Sequence, residues 1–493
     1  MRTLPAFPDL RAYLAWAEGS GDVRRIADPV ALRHEMTALQ LVALRGGGPV
    51  LRFSRAIMAD GSAAAMPVVA NLFGTRARVA AGLGVNGTGI GELGEFLAAL
   101  RSPAPVRGLR DAMSRWPILR AALQTRAAVS RRPPVQDEVL PDLSALPVQT
   151  PWPEDAGPLI TWGAVITRPP DAAPDDLADY NLGIYRAQVL GPDRLILRWL
   201  AHRGGAAHHR AWERRGEPMP VAVALGTDPA LLLSAALPLP EGMSEFTFSG
   251  VLRGARTEVA PALTVPLMVP ARAEIVIEGH VHPGETAPEG PFGDHTGYYN
   301  AVEPFPVMRV SRITARRDPI YLSTVTGRPP DEPSVIGEVF NDLTLPLIRA
   351  QIPEVRDFWL PPAACSYRLA VVQIAKRYAG QARRVMMALW GMLPQFSYTK
   401  MIVVVDDDID ARNWDDVLWA LTTRYDPGRD TMVLTDTPMD YLDFASPVEG
   451  LAGKIGLDAT TKTGTETTRD WGRVMVLDPT HLARAEQLLG GLT

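Results

Sequence analysis

Apolar residues recur at helical spacing over 9–18 (DLRAYLAWAE), with Asp9 as cap, and over 31–45, which Gly46–Gly48 end. Short apolar runs at 49–53 and 66–70 predict strands, giving an α/β alternation. Residues 101–158 are rich in Pro and Arg around one helical stretch near 109–128 and predict a connection into the next unit. The pattern then changes. Strand-like runs stand at 159–167, 184–190, 194–200, 221–226, 246–252 and 264–269, and period-two alternation appears at 273–281 and 306–314. Many short strands with turn signals between them predict a barrel-like or sandwich sheet. One helix at 228–237 interrupts them, with Asp228 as cap and Pro229 at the first helical position. Residues 334–440 return to α/β, with strands at 367–374, 400–405 and 431–435 and helices at 381–393 and 411–424. The Gly- and Thr-rich tail, 445–493, ends in a helix at 479–489, and no internal repeat is seen.

A length of 493 residues suits about three domains. The net charge of −5 argues against a generic nucleic-acid footprint. The single cysteine, Cys365, excludes an internal disulfide framework and any CxxC site, and fits a reducing compartment. No apolar run approaches the roughly 18 residues of a membrane span, and the start, MRTLPAFPDLRAYLAW, lacks the pattern of a signal peptide. A cytoplasmic protein is expected. Of 50 basic residues only Lys376, Lys400, Lys454 and Lys462 are lysines, so a lysine kept against that bias is a candidate for a specific task.

Several chemical signals read as bland. Gly89-Ile-Gly-Glu-Leu-Gly94 matches GxGxxG but follows no buried strand, and reads as a flexible loop. Asp406, Asp407, Asp408 and Asp410 read as a solvated strand-to-helix turn, and His208-His209 as surface loop. Unusual polar residues instead concentrate in the strand-rich middle, at Asn181–Arg186, at Arg198–Gly205, at Glu245 and at Glu285–Tyr299. In the last of these, Glu289 and Asp294 flank Gly-Pro-Phe-Gly, whose turn chemistry can bring both acids to one cavity. Neighbouring carboxylates have separated pKa values, so one can hold a proton near neutral pH while Arg186 clamps the other. The alternative is a hairpin loop with solvated acids. Asn181, His202 and Glu245 offer an oxygen-and-nitrogen donor set that suits Mn²⁺ or Mg²⁺, or else a satisfied buried polar network. In a regular strand, positions 181 and 186 point to opposite faces, so the chain must kink between them or Asn181 must precede the strand.

Together these segments resemble the UbiD family of decarboxylases. The likeness is carried by NLGIYR, RWLAHRGGA, PEGMSEFTFSGVLRGARTEV and EGPFGDHTGYY, then by TGRPPDEPSVIG, YTKMIVVVDDDIDARNWDDVLWALTTR, DYLDFASPV and KIGLDATTK. It is strongest toward the bacterial branch acting on 3-polyprenyl-4-hydroxybenzoate in ubiquinone biosynthesis. The resemblance implies an α/β and α+β multidomain fold: an α/β N-terminal domain (1–125), a split β-barrel flavin domain (126–330) and an α/β C-terminal oligomerisation domain (331–493). It implies prenylated FMN, Mn²⁺ and a monovalent cation (K⁺ or Na⁺). The metal ligands would be Asn181, His202 and Glu245. Ile184, Tyr185, Arg186, Arg198, Trp199, Leu200, Arg203 and Gly204 would line the flavin, with Lys400 near its phosphate. Arg186, Glu289 and Asp294 would form the catalytic relay, with Asp294 as proton donor; some relatives carry Glu at that position. A flavin prenyltransferase would supply the cofactor, and the chain would be a homo-oligomer, dimer or hexamer. An apolar polyprenyl substrate implies peripheral contact with the inner membrane. The competing readings are a decarboxylase of another aromatic or phenolic acid and a catalytically silent flavin-binding assembly protein.

Overall fold

The computed structural model describes residues 6–101, 123–200, 203–237, 244–392 and 394–490. Its centre is a sheet whose strands run in the order Asn181–Ile184, Ala164–Thr167, Met219–Leu225, Ile275–Glu289, Glu303–Ala315, Arg194–Leu197, Ala187–Gly191 and Leu159–Ile160, with Glu138–Leu140 also pairing with Glu303–Ala315. The first strand of that path and the second-last are joined through Tyr185 and Arg186 alone. So short a link forces the sheet to curl into a half-barrel. Met219–Leu225 is buried along its whole length: Met219, Val221, Val223 and Leu225 enter one apolar cluster, Ala222 and Ala224 another. A strand covered on both faces reads as one continuous apolar run, MPVAVAL.

The first sheet orders Val23–Ile26, Val50–Phe53, Val68–Ala70 and Tyr321–Leu322. Its last strand comes from residues far along the chain, so the N-terminal sheet is completed by the segment leaving the barrel. Helix Leu10–Gly19 starts where the Asp9 side chain accepts from Ala12 N, as expected. The third sheet orders Val355–Trp359, Leu369–Ile374, Met401–Asp406, Leu451–Ala459 and Thr431–Pro438. Helix Gln381–Met392 covers one face and helix Trp414–Thr423 the other. Helix Glu332–Gln351 bridges the units. Its Asp342 accepts from Arg76 on one side at 2.5 Å and from Arg412 on the other at 2.6 Å. Pro346 inside it obscures its signal in the sequence.

Four readings change. Residues 246–252 are not a strand: Glu245–Arg253 is a helix, buried from Phe246 through Arg253 except Thr247, so no polar stripe marks its period. Gly89–Gly94 is not a loop but opens helix Gly89–Arg101, and a side chain at Gly94 would strike the Leu343 carbonyl of the bridging helix. His208 and His209 lie on helix Gly204–Arg215 rather than in a loop, and His208 Nδ1 meets Thr167 Oγ1 at 2.9 Å. Burial pushes the His208 imidazole down to about 4. Asp406 and Asp408 are not merely solvated, because Arg424 donates to both. The helix expected near 109–128 falls almost wholly outside the described residues.

Candidate active site

The long hairpin positions the acids. Strands Ile275–Glu289 and Glu303–Ala315 pair up to Glu289 opposite Glu303, and the loop 290–302 at their end carries Asp294. Gly290 opens that loop at φ +90, a conformation that L side chains resist. Arg186 lies in the break between strands Asn181–Ile184 and Ala187–Gly191, which resolves the face problem posed by positions 181 and 186.

Arg186 gathers the loop. Its Nε and Nη2 donate to the two oxygens of Glu289 at 2.8 and 3.1 Å. Its Nη1 donates to Asp294 Oδ2 at 2.9 Å, and Nη2 donates also to Asn300 Oδ1 at 2.8 Å. Glu289 is fully buried and accepts a further bond from Arg198 Nη1 at 2.6 Å. Arg198 Nη2 reaches Glu303 at 2.8 Å, while its guanidinium lies over the Phe305 ring (4.6 Å) and the Tyr441 ring (5.3 Å). Asp294 Oδ1 accepts from the His295 backbone N–H at 2.8 Å and lies 2.9 Å from its Nδ1. Burial works to raise the Asp294 carboxyl, but the His295 hydrogen bond and the Arg186 charge outweigh it and hold the group at about 2. Asp294 therefore stands as an anion, not as the proton-holding acid of a separated pair. Burial lowers the His295 imidazole, and the hydrogen bond and charge of Asp294 more than reverse this, so it sits above its usual value.

A second cluster lies on strand Asn181–Ile184, just ahead of Arg186. Glu245, first residue of its helix, accepts from Leu182 N at 2.9 Å. Burial lifts its carboxyl to about 7, and no Arg or Lys pairs with it among the described residues. A Cβ at Gly204 would fall 2.1 Å from Asn181 Oδ1, so only glycine lets the start of helix Gly204–Arg215 approach so closely. Asn181 Nδ2, Trp199 Nε1, Ser244 Oγ and His295 Nε2 are buried without hydrogen-bond partners. Orphaned polar atoms are costly, and these flank the segments that carry Glu245, Arg186 and Asp294, which fits a site shaped for a polar ligand. Asn181 and Glu245, an amide oxygen and an uncompensated carboxylate, fit a hard divalent cation. No group of three His, Cys, Asp or Glu side chains able to hold a metal occurs among the described residues, and His202 lies outside them.

Models of three successive parts of the 3-octaprenyl-4-hydroxybenzoate carboxy-lyases match the chain: the N-terminal domain over residues 14–97, the Rift-related domain over 127–329 and the C-terminal domain over 334–459. The chain belongs to the UbiD family. It is a decarboxylase of that class, a carboxy-lyase. Solved UbiD-class structures agree along nearly the whole length. HmfF from Pelotomaculum thermopropionicum, in complex with FMN, is 31% identical, with 97% of this chain and 99% of that one covered and a TM-score of 0.79. An evolved dimeric form of HmfF, in complex with prenylated FMN (prFMN), is 31% identical over 95% and 97%, at a TM-score of 0.76. The vanillic acid decarboxylase of Sedimentibacter hydroxybenzoicus in closed form is 26% identical over 99% and 100%, at 0.81.

In this UbiD-family chain the structure brings Arg186, Glu289 and Asp294 together, and Asn181 beside Glu245 and Gly204. Tyr185 and Trp199 are buried next to the latter group: Tyr185 Oη accepts from Gly205 N at 3.4 Å, and Gly205 packs on the Trp199 indole. Ile184 and Leu200 are half-buried, and Arg203 is exposed at the head of its helix. Two expected flavin neighbours hold carboxylates in this structure. Arg198 serves Glu289 and Glu303, and Lys400 pairs with Asp443 at 2.9 Å in the C-terminal unit. Sequence reasoning missed Asn300, His295 and Tyr441. His295 lies inside the signature loop and Asn300 directly follows it, and only that placement could have pointed to them. Tyr441 arrives from a segment remote in sequence.

Proposed function

We propose that this UbiD-family chain uses prenylated FMN to decarboxylate 3-polyprenyl-4-hydroxybenzoate to 2-polyprenylphenol, a step in ubiquinone biosynthesis. The observation that carries the reading is the Arg186 fork, which draws a buried Glu289 and an ionised Asp294 onto one guanidinium. Losing CO₂ from an aromatic ring leaves charge in an orbital the ring cannot delocalise; the prenylated flavin, when bound, supplies the missing electron sink. Ile184, Tyr185, Trp199, Leu200, Arg203 and Gly204 would line that cofactor, with Arg186 and Arg198 at its edge. Asn181, Glu245 and His202 would hold Mn²⁺, which with a monovalent cation neutralises the phosphate charge; Lys400 would reach the phosphate only by releasing Asp443.

The chain's own chemistry is proton handling. Arg186 fixes the two carboxylates, and Arg198 adds a third guanidinium hydrogen bond to the buried Glu289. Asp294 is placed to hand a proton to the ring carbon that lost CO₂, with Glu289 orienting Arg186 behind it. The three units 1–125, 126–330 and 331–493 would act as a homo-oligomer, dimer or hexamer, loaded by a flavin prenyltransferase. No helix among the described residues is long and apolar enough to cross a membrane. A cytoplasmic enzyme touching the inner membrane peripherally would meet the polyprenyl substrate.

A second reading keeps the chemistry and takes a smaller phenolic acid; it is favoured by the whole-length likeness to a vanillic acid decarboxylase. Parallel assays of polyprenylated and unprenylated 4-hydroxybenzoates and vanillate with flavin-loaded enzyme decide. Turnover confined to the small acids removes the ubiquinone role, and liposome flotation without retention at low salt removes the membrane contact.

A further inference from the structure

We propose that His295 is the proton reservoir of the site, passing the proton that Asp294 delivers to the ring carbon and recovering it from water. The inference deepens the decarboxylase reading above and rests on it. Replacing a ring carboxylate by hydrogen consumes one proton for every CO₂ released. An acid held at about 2 carries a proton in only about 10⁻⁵ of molecules at pH 7. A proton held next to Asp294 meets that need, and the neighbour within hydrogen-bond distance of its free oxygen is His295.

His295 has the geometry for storage. Its Nδ1 lies 2.9 Å from Asp294 Oδ1, the carboxylate oxygen that Arg186 leaves free. Its Nε2 is buried and partnerless, while the side chain as a whole stays 21% exposed, the face through which water can return a proton. The groups facing the ring come from three places. Asp294 lies on its own loop, Asp331 heads the bridging helix, and Tyr367, Arg368 and Asp440 come from the C-terminal unit. Tyr367 donates its hydroxyl to Asp440 at 2.6 Å and lies 6.4 Å from the imidazole, ring to ring. The charges of Asp294 and Asp440 favour the imidazolium, and Arg368 opposes it.

The step moves one proton and no net electrons. The Nδ1–H bond of the imidazolium breaks as an O–H bond forms on Asp294, leaving neutral imidazole and a carboxylic acid. That O–H breaks as the C–H bond forms, and water returns a proton to the ring. His295 is thus a positioning residue acting through Asp294.

The test uses full-length protein labelled with ¹⁵N-histidine, and the flavin-loaded enzyme for kinetics. The His295 signal, assigned by its loss in His295→Asn, should titrate above 6.5 and fall toward that value in Asp294→Asn. In the loaded enzyme, kcat should fall as pH rises through the His295 titration. His295→Asn keeps an N–H toward Asp294 but cannot titrate. It should lower kcat at least about tenfold, within the range of general acid–base effects, erase that pH limb, and leave KM and flavin retention unchanged. A ring that titrates at or below 6.5, or an Asn variant with wild-type kcat and pH profile, overturns the relay. Absence of turnover by wild type on every aromatic acid overturns the decarboxylase reading and the relay with it; turnover with a low-titrating His295 overturns the relay alone.

Discussion

Asp294→Asn isolates the charge of the site with little change of shape. The side chain is 17% exposed and sits between Arg186 and His295. Folding holds its carboxyl at about 2 against an ordinary 3.8. At roughly 1.36 kcal/mol per pH unit, that drop is worth about 2–3 kcal/mol. The sign follows from linkage. A depressed carboxyl stabilises the fold above its unfolded pKa, and the contribution disappears as pH falls through its folded value. The wild-type advantage should be complete above roughly pH 5 and about half gone near pH 3. Arg186 keeps Glu289 and Asn300 as partners, so the loss should stay local. A chain whose described residues form five sheets is not expected to unfold in two states, so the suitable assay is hydrogen–deuterium exchange of peptides spanning 286–305. The variant should open that loop about 2–3 kcal/mol more easily at pH 7, retain flavin, and lose at least about 100-fold in turnover. A change in opening below about 1 kcal/mol, or one that does not shrink with acid, refutes the electrostatic account, and turnover within about tenfold of wild type removes Asp294 from the donor role.

The other predictions concern the supports of the site. Gly204→Ala would place a methyl group on Asn181 Oδ1, so bound Mn²⁺ and flavin should both fall by more than about tenfold, a loss of roughly 1.4 kcal/mol or more, with no change in circular dichroism; retention of both shows that Asn181 holds no ligand. Glu245→Gln keeps the acceptor for Leu182 N but removes the uncompensated charge, and metal analysis of the purified variant should find the divalent ion gone. Arg198→Met leaves Glu289 with Arg186 alone and Glu303 without Arg198; the exposed Glu303 end matters little, and stripping one cation from buried Glu289 should lower stability by about 3 kcal/mol, read as earlier thermal release of flavin. Gly279→Ala would drive a Cβ into the Arg309 carbonyl at the bulge of the long hairpin; it should cost at least about 2 kcal/mol, and an unchanged melting temperature would contradict that packing.

The sequence by itself determined whatever is decided within a few neighbours. Asp9 and Asp228 accept from the third residue onward in their helices, as their positions before apolar repeats promise. The alternation at 273–281 and 306–314 names the two longest strands, although the polar positions of the first are not solvent-facing: Glu274 and Glu278 are buried, one accepting from Arg11 and the other from the Leu263 and Thr264 N–H groups. Tertiary structure decided the rest. FTFSGVL alternates like a strand, but burial on every side removes the polar stripe that distinguishes a helix, and packing settles it as helix Glu245–Arg253. The signature loop showed that Glu289 and Asp294 belong together. It could not show that both are claimed by guanidiniums from elsewhere in the chain, which turns a supposed proton-bearing acid into an anion beside a histidine. Protonation depends on charges a few ångströms away in space, and the curl of the half-barrel, not chain order, sets those distances.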